Sequence, residues 1–229
     1  MKNPIYSHFM ALVRRNKYVS LLVALILHLF IGIVLSDMQF YARIIWPINM
    51  ILLGVAGAGV VIEKGKWIRY IRMALVVLVF LLPVLIPFVA EKGLFMQILS
   101  VVYTLYFAFI FKEIISFLIK PSYINADIII AAGCGYLLLI EITVFLLQAL
   151  FYYNHDTFSH IDASTPATIF IDLVYYASVS ITTIGYGDIT PNTHYAKLIA
   201  SLLGLIGQFY MVVLVGILIS KFSSNSQSK

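Results

Sequence analysis

Apolar residues form six long runs along the chain that contain almost no charged side chain. Five runs contain no Asp, Glu, Lys or Arg, and the other contains Glu141 as its single charged residue. They cover residues 18–36, 44–62, 73–90, 93–111, 128–153 and 198–220. Most are close to the ~20 residues that an α-helix needs to cross a hydrocarbon layer of ~30 Å. The pattern predicts an all-α membrane protein with six transmembrane helices.

A shorter apolar stretch, residues 169–184, lies between the last two runs. It is too short to cross the membrane by itself. Thr165 and Pro166 precede it and suit the N-cap and first position of a helix, although the helix could also start one turn later. This helix would end near Thr182. The pattern therefore predicts a re-entrant helix, which enters the membrane and returns to the side from which it came.

The composition excludes two broad classes of protein. Hydrophobic residues make up 62% of the 229 residues and charged residues only 11%. Soluble domains have ~25% charged residues, and disordered chains are poor in apolar residues, so neither class fits. The single cysteine, Cys134, cannot form a disulfide within the chain.

The net charge of +5 alone is compatible with nucleic-acid binding, but the basic residues concentrate on one side of the predicted spans. Short cytoplasmic loops retain Lys and Arg in this way. With the N-terminus inside, the cytoplasmic set is Lys2, Arg14, Arg15, Lys17, Lys64, Lys66, Arg69, Arg72, Lys112, Lys120, Lys221 and Lys229, and the outer set is Arg43, Lys92 and Lys197. We expect a multi-pass protein of the plasma membrane or a bacterial inner membrane, with both termini cytoplasmic. Its basic residues would contact anionic lipid, and no nucleic-acid partner is expected.

The re-entrant segment leads into the run Thr-Thr-Ile-Gly-Tyr-Gly-Asp at residues 182–188. Backbone at membrane depth must present its polar groups to a partner, and a dehydrated cation can be that partner. Gly185 and Gly187 permit backbone angles that let successive carbonyl oxygens point the same way. Thr183 adds a hydroxyl oxygen at the inner end, and the ring of Tyr186 is large enough to pack outward.

This run closely resembles the selectivity filter of tetrameric potassium channels with six transmembrane helices and one pore loop, and the resemblance extends over residues 165–222. It implies that K⁺ binds at Thr183, Ile184, Gly185 and Tyr186, with Gly187 completing the ion-binding run. It implies support of the filter by Thr182, Asp188, Tyr175, Tyr176 and Val179. In the last span, Gly207 falls on the family's hinge glycine and Gly216 on the position of a second bend. The resemblance implies K⁺ as the ion in the filter, and no organic cofactor is expected.

One filter strand supplies only a quarter of each carbonyl ring, so the resemblance implies a homotetramer. Residues 1–120 would form a four-helix transmembrane domain in the position of a voltage sensor. Residues 121–229 would form the pore domain, with outer helix, pore helix, filter and inner helix. The predicted function is passive, potassium-selective conduction. No arrangement of residues resembles a catalytic triad, a phosphate-binding loop or a redox pair, so we expect no enzyme.

Voltage gating is not expected, because the fourth run has no basic residue and only Lys112 follows it. Steep gating uses about three to four charges per subunit. Lys66, Arg69 and Arg72 recur at every third position, but they begin the third span, where basic residues anchor a helix on the cytoplasmic side.

Glu141 is the carboxylate within a span, where an ionised group is costly. We expect it to be protonated or hydrogen-bonded to the re-entrant helix, at Tyr175, Ser178 or Ser180, and a modulatory and a purely structural role are both open. His28 in the first span is expected to be packed and hydrogen-bonded. In the outer loop, His155, Asp156, His160 and Asp162 match no closed metal site and are expected to form a solvated turret.

Three other functions remain open at this stage. The chain could be a subunit of an ion-coupled potassium uptake transporter, but such proteins resemble four degenerate pore loops in one longer chain. It could be an atypical voltage-gated potassium channel. It could also be an accessory subunit that modulates another channel through its first four spans, and the intact run at 182–188 argues against this.

Overall fold

A computed structural model of the protein describes residues 16–35, 37–60, 66–89, 93–119 and 126–226. The helices, numbered in chain order, are α1 Lys17–Phe30, α2 Met38–Ala58, α3 Lys66–Val89, α4 Gly93–Ile119, α5 Ala126–Tyr153, α6 Pro166–Ile181 and α7 His194–Ser226. Short 3₁₀ turns follow α1 at Ile31–Ile33 and α5 at His155–Thr157. Two strands, β1 Phe158–Ser159 and β2 Thr190–Pro191, pair antiparallel.

Four helices of the described chain are long and apolar enough to cross a membrane. They are α2, α4, α5 and the stretch His194–Leu214 of α7. The apolar helical stretches Lys17–Ile33, Met73–Val89 and Pro166–Ile181 are shorter. The fold is therefore that of an all-α membrane protein, and the count of six spans stays a prediction. The domain boundary at residues 120 and 121 lies outside the described residues, as do Lys2, Arg14, Arg15, Lys64, Lys92, Lys120 and Lys229 of the orientation argument.

α2 is α-helical except for a π-helical turn at Tyr41–Ile45, directly before Pro47. Proline has no N–H to donate to the carbonyl four residues earlier, and its ring crowds that carbonyl. The wider turn falls where this regular hydrogen bond would otherwise form. α4 extends eight residues beyond the predicted apolar run 93–111 and ends at Ile119.

α5 packs along both α4 and α1. Between α4 and α5, the rings of Tyr103 and Phe145 stack with centroids 4.9 Å apart, and Ser100 Oγ donates to Gln148 Oε1 at 3.2 Å. Between α1 and α5, Cys134 Sγ donates to the backbone carbonyl of Tyr18. The first helices therefore pack directly on the helix that precedes α6 in the same chain.

The sheet joins the two loops that flank α6 and the 182–188 run. Ser159 pairs with Thr190, and Phe158 pairs with Pro191. Beside the pairing, Asn192 N–H donates to the Thr157 carbonyl at 2.8 Å, and Ser159 Oγ donates to Asn192 Oδ1 at 2.8 Å. The entry to α6 and the exit from the run are thus held together.

Candidate functional site

α6 begins and ends at the residues that the sequence predicts. Thr165 is the N-cap, and its hydroxyl oxygen accepts from Thr168 N–H while the Thr168 side chain accepts from Thr165 N–H. Pro166 opens the first turn, where a missing N–H costs nothing. Thr182 is the C-cap. The predicted start at Thr165 and Pro166 and the predicted end near Thr182 are confirmed.

The φ angles of residues 183–187 alternate between positive and non-positive values. Thr183, Gly185 and Gly187 have φ values of 63°, 57° and 79°, and Ile184 and Tyr186 between them do not have positive φ. A left-handed conformation is uncommon for a threonine and has no steric cost for a glycine. Such alternation brings successive N–H groups to one side of the chain. Because each trans peptide points its C=O opposite to its N–H, the carbonyls gather on the other side.

The hydrogen bonds of the run show which of its two sides faces α6. Ile184 N–H and Gly185 N–H both donate to the carbonyl of Val179, at 2.9 and 3.1 Å. The described residues contain no cis peptide. The carbonyls of Thr183 and Ile184, which share those two peptide units, therefore point away from α6.

The first residues of the run complete the end of α6. Thr182 N–H and Thr182 Oγ1 both donate to the Ser178 carbonyl, and Thr183 N–H donates to the Ser180 carbonyl at 3.1 Å. The last carbonyls of a helix have no partner within it. Here the run supplies the partners, so α6 and the run form one hydrogen-bonded unit. Val179 contributes to this unit through its backbone oxygen.

Much of the run is uncovered in the single chain. Ile184 is 55% exposed and Tyr186 is 70% exposed. A methyl group built on Gly185 or Gly187 would meet nothing within 4 Å. The run thus borders open space in the single chain.

The outer end of the run is tied to α6 by two tyrosines and an aspartate. Tyr175 OH donates to Asp188 Oδ2 at 2.6 Å, and the ring of Tyr175 lies parallel to that of Tyr186, with centroids 6.3 Å apart. The hydrogen bond from Tyr175 holds the pKa of the Asp188 carboxyl below its usual value. Tyr176 turns instead into the core, where its ring packs edge-on against Phe158. Of the two tyrosines predicted to support the filter, Tyr175 contacts the run in the single chain through its hydroxyl and its ring.

Tyr175→Phe is expected to raise the pKa of Asp188. A carboxyl whose pKa is depressed in the folded protein stabilises that protein at pH values above its ordinary pKa of ~3.9. This stabilisation is lost as the pH falls through the depressed pKa. Without the tyrosine hydroxyl, this stabilisation should be smaller, and the Asp188 carboxyl should titrate at a higher pH. Carbon-13 NMR of the Asp188 carboxyl during an acid titration measures the midpoint. Tyr176→Phe is the matched control and should leave it unchanged, and equal midpoints in all three proteins would contradict the assignment.

The middle of α7 touches the end of α6. A Cβ on Gly207 would lie 2.8 Å from Ile181 Cγ2, and Gln208 Nε2 donates to the Ile181 carbonyl at 3.0 Å. Gly207 thus permits a close approach of two helices, and its role as a hinge stays a prediction. Around Gly216, a Cβ would meet nothing within 4 Å. Gln208 was missed by the sequence argument, although it is a polar residue within an apolar span.

Gly207→Ala is expected to lower the stability of the protein by about 1–3 kcal/mol, the usual cost of overpacking. The added methyl would enter the space of Ile181 Cγ2 at the base of the run. Thermal unfolding in detergent measures the change. Gly204→Ala, one turn earlier, adds the same methyl where nothing lies within 4 Å and should cost nothing. Equal losses in both variants would refute the close-contact explanation.

The structure corrects the predicted partner of Glu141. Its Oε1 lies 2.8 Å from Nδ1 of His28 on α1 and forms a hydrogen bond, and both side chains are fully buried. Tyr175, Ser178 and Ser180 of α6 are not its partners. The reason is geometric, because Glu141 lies two turns after Cys134 and therefore on the face of α5 that contacts α1. The expectation that His28 is packed and hydrogen-bonded is confirmed, since its ring also packs against Phe170.

No group of three or more His, Cys, Asp or Glu side chains able to hold a metal ion occurs within the described ranges. In the outer loop, His155 packs against the rings of Phe151 and Tyr152. The candidate site is therefore the backbone run 182–188 with its supports on α6 and α7.

Residues 139–224 match a family model described as "Ion channel". The match indicates an ion channel. It covers fewer than half of the residues, and it extends from the middle of α5 through α6, the run and most of α7. Together with the four helices that are long enough to span, it indicates a multi-pass membrane channel and favours a transport protein over an enzyme. No curated protein and no solved structure matches the chain significantly.

Proposed function

We propose that this ion channel conducts K⁺ selectively and passively, through a filter formed by the backbone oxygens of Thr183, Ile184, Gly185 and Tyr186. One observation carries the proposal: Ile184 N–H and Gly185 N–H are both bound to the Val179 carbonyl. The oxygens of the same peptide units are thereby left free on the opposite side. A ring of such carbonyls replaces the hydration shell of K⁺. The Thr183 hydroxyl completes the innermost site, and Gly187 continues the alternating backbone.

The filter requires four copies of the chain around one axis, because each copy supplies one strand. The orientation of the Thr183 and Ile184 carbonyls away from α6 and the apolar surface of α7 support a homotetramer. On α7, Leu198 is 72% exposed and Phe209 is 68% exposed in the single chain. Neighbouring copies and lipid would cover these side chains. In the proposed orientation, both termini are cytoplasmic, and the loops joined by β1 and β2 face outside.

The channel is proposed to lack a voltage sensor. The described part of the fourth helix, α4, carries one basic residue, Lys112, with Glu113 beside it. The side chains of Lys66, Arg69 and Arg72 lie outside the described residues. Moving one charge through the whole field is worth ~2.3 kcal/mol per 100 mV, too little for steep gating.

Flux from liposomes tests the function. The purified chain should release K⁺ much faster than Na⁺, without a proton gradient, and with a shallow dependence on imposed voltage. Equal fluxes of K⁺ and Na⁺ would overturn selectivity. Dependence on a proton gradient would favour the transporter subunit, and steep voltage dependence that flattens in Arg69→Gln would favour the atypical voltage-gated channel. Absence of flux from correctly assembled protein would favour an accessory subunit.

A further inference from the structure

A cavity of about 370 Å³ lies between α2, the end of α3 and the entry to α6. From α2 it is lined by Gln39, Arg43 and Trp46, from α3 by Phe88 and its neighbours, and before α6 by Ser164 and Thr165. Its volume is within the range of small-molecule sites, ~300–1,000 Å³. It is separate from the 182–188 run, and it combines polar and apolar walls.

The charge at this cavity is positive and lacks a partner. Arg43 lies within the candidate span Met38–Ala58, has an exposed side chain and forms no ion pair with a residue of the described ranges. No carboxylate lines the cavity. The nearby acids bind backbone instead: Asp37 accepts from Gln39 N–H and Phe40 N–H, and Asp162 accepts from Ser164 N–H. An arginine near the end of a span extends to the headgroup level, where a phosphate can meet it.

A buried donor also lines the cavity. Trp46 is only 1% exposed, and its indole Nε1–H has no hydrogen-bond partner in the part of the chain that the structure describes. Its ring is fixed against Phe170 of α6, with centroids 5.3 Å apart. A buried N–H without an acceptor costs ~1–3 kcal/mol, so an acceptor from outside the chain would be favourable here.

We propose that this cavity binds the phosphate headgroup of an anionic phospholipid. The Arg43 guanidinium pairs with the phosphate, and the Trp46 indole donates to a headgroup oxygen. Phe88 and its apolar neighbours contact the glycerol and the start of the acyl chains. A lipid is favoured over a soluble anion because Arg43 and Trp46 are both part of a membrane span and the α3 wall is apolar. In the proposed orientation this headgroup lies in the outer leaflet, where an arginine guanidinium can pair with phosphate through two parallel hydrogen bonds.

A bound headgroup would join three elements of the chain. It would touch α2 and α3 on one side and the cap of α6 on the other, because Thr165 is both a lining residue and the N-cap. The lipid would therefore stabilise the position of the helix that carries the filter run.

Lipid-dependent stabilisation of the full-length protein in detergent tests the proposal. Titration with phosphatidylglycerol should raise the melting midpoint more than phosphatidylcholine does, and inorganic phosphate should have little effect. Arg43→Gln should weaken the apparent affinity roughly tenfold, which corresponds to ~1.4 kcal/mol, while Arg43→Lys should retain part of it. Trp46→Phe keeps an aromatic ring, removes the donor and should also weaken binding. Lys197→Gln removes an exposed charge elsewhere and should not.

Three results would overturn the proposal. Equal stabilisation by the two lipids would remove the requirement for an anion. An equal effect of inorganic phosphate would assign the cavity to a free anion. Unchanged phosphatidylglycerol affinity in Arg43→Gln would place the lipid elsewhere, and if that variant does not fold, unchanged affinity in both Arg43→Lys and Trp46→Phe has the same meaning.

Discussion

Gly185→Ala is expected to weaken the selectivity of the flux for K⁺ over Na⁺. Gly185 has a φ of 57°, and a side chain in this left-handed conformation costs roughly 1–2 kcal/mol per residue. In a tetramer, the cost arises in each of the four strands. The backbone can escape it only by rotating, which displaces the N–H from the Val179 carbonyl and turns the neighbouring carbonyls from the row. Since 1.4 kcal/mol is tenfold in an equilibrium, we expect discrimination between K⁺ and Na⁺ to fall about tenfold or more.

Liposome flux of K⁺ and Na⁺ measures the effect of Gly185→Ala, and the tetramer fraction must be checked beside it. Gly204→Ala is the matched control, because it adds the same methyl to a helical glycine with open space around it. It should conduct like the wild type. An assembled Gly185→Ala protein with unchanged selectivity would show that the alternating backbone does not carry the discrimination between ions.

Glu141→Ala is expected to produce the second large effect, a loss of about 3–5 kcal/mol of stability. Removing one member of a buried pair leaves the other without a partner, and this is the usual cost. His28 would then lie fully buried against Phe145 and Phe170 without its hydrogen bond. Glu141→Gln keeps an oxygen and an N–H at the same place, so this variant should lose less stability.

Unfolding in detergent measures these losses, and the double variant His28→Leu/Glu141→Leu is the informative control. Replacing both polar groups by apolar ones of similar size is often neutral or stabilising, so the double variant should recover much of the lost stability. A loss of stability in the double variant equal to the sum of the losses in His28→Leu and in Glu141→Leu would contradict the pairing. Potassium flux and its pH response in Glu141→Gln separate the two roles that were open, since a structural role alone predicts unchanged flux.

The elements predicted best are those that depend on neighbouring residues. The apolar runs correspond to the helices because hydropathy over about 20 residues is a property of the local chain. α6 was placed between Thr165 and Thr182 because a hydroxyl at an N-cap and a proline at the next position act within one turn. The match to an ion channel over residues 139–224 agrees with the channel expectation drawn from the motif.

The contacts that were missed join residues far apart in the chain. His28 and Glu141 were both recognised as isolated polar residues, but nothing local says that α1 lies along the Glu141 face of α5. The bond from Gln208 to the Ile181 carbonyl likewise requires the crossing of α6 and α7. The strands β1 and β2 have two residues each, too few for an alternating pattern to appear. Such features follow from tertiary packing, which the periodicity of one segment does not contain.

The contacts of Phe170 limit how freely one half of this chain can be combined with another sequence. It is fully buried and contacts His28 of α1, Trp46 of α2 and Phe145 of α5. A gene fragment that encodes only the second half of the chain would keep one of these three rings. Exchanging the first half for that of another channel would therefore require a new set of aromatic neighbours around this position.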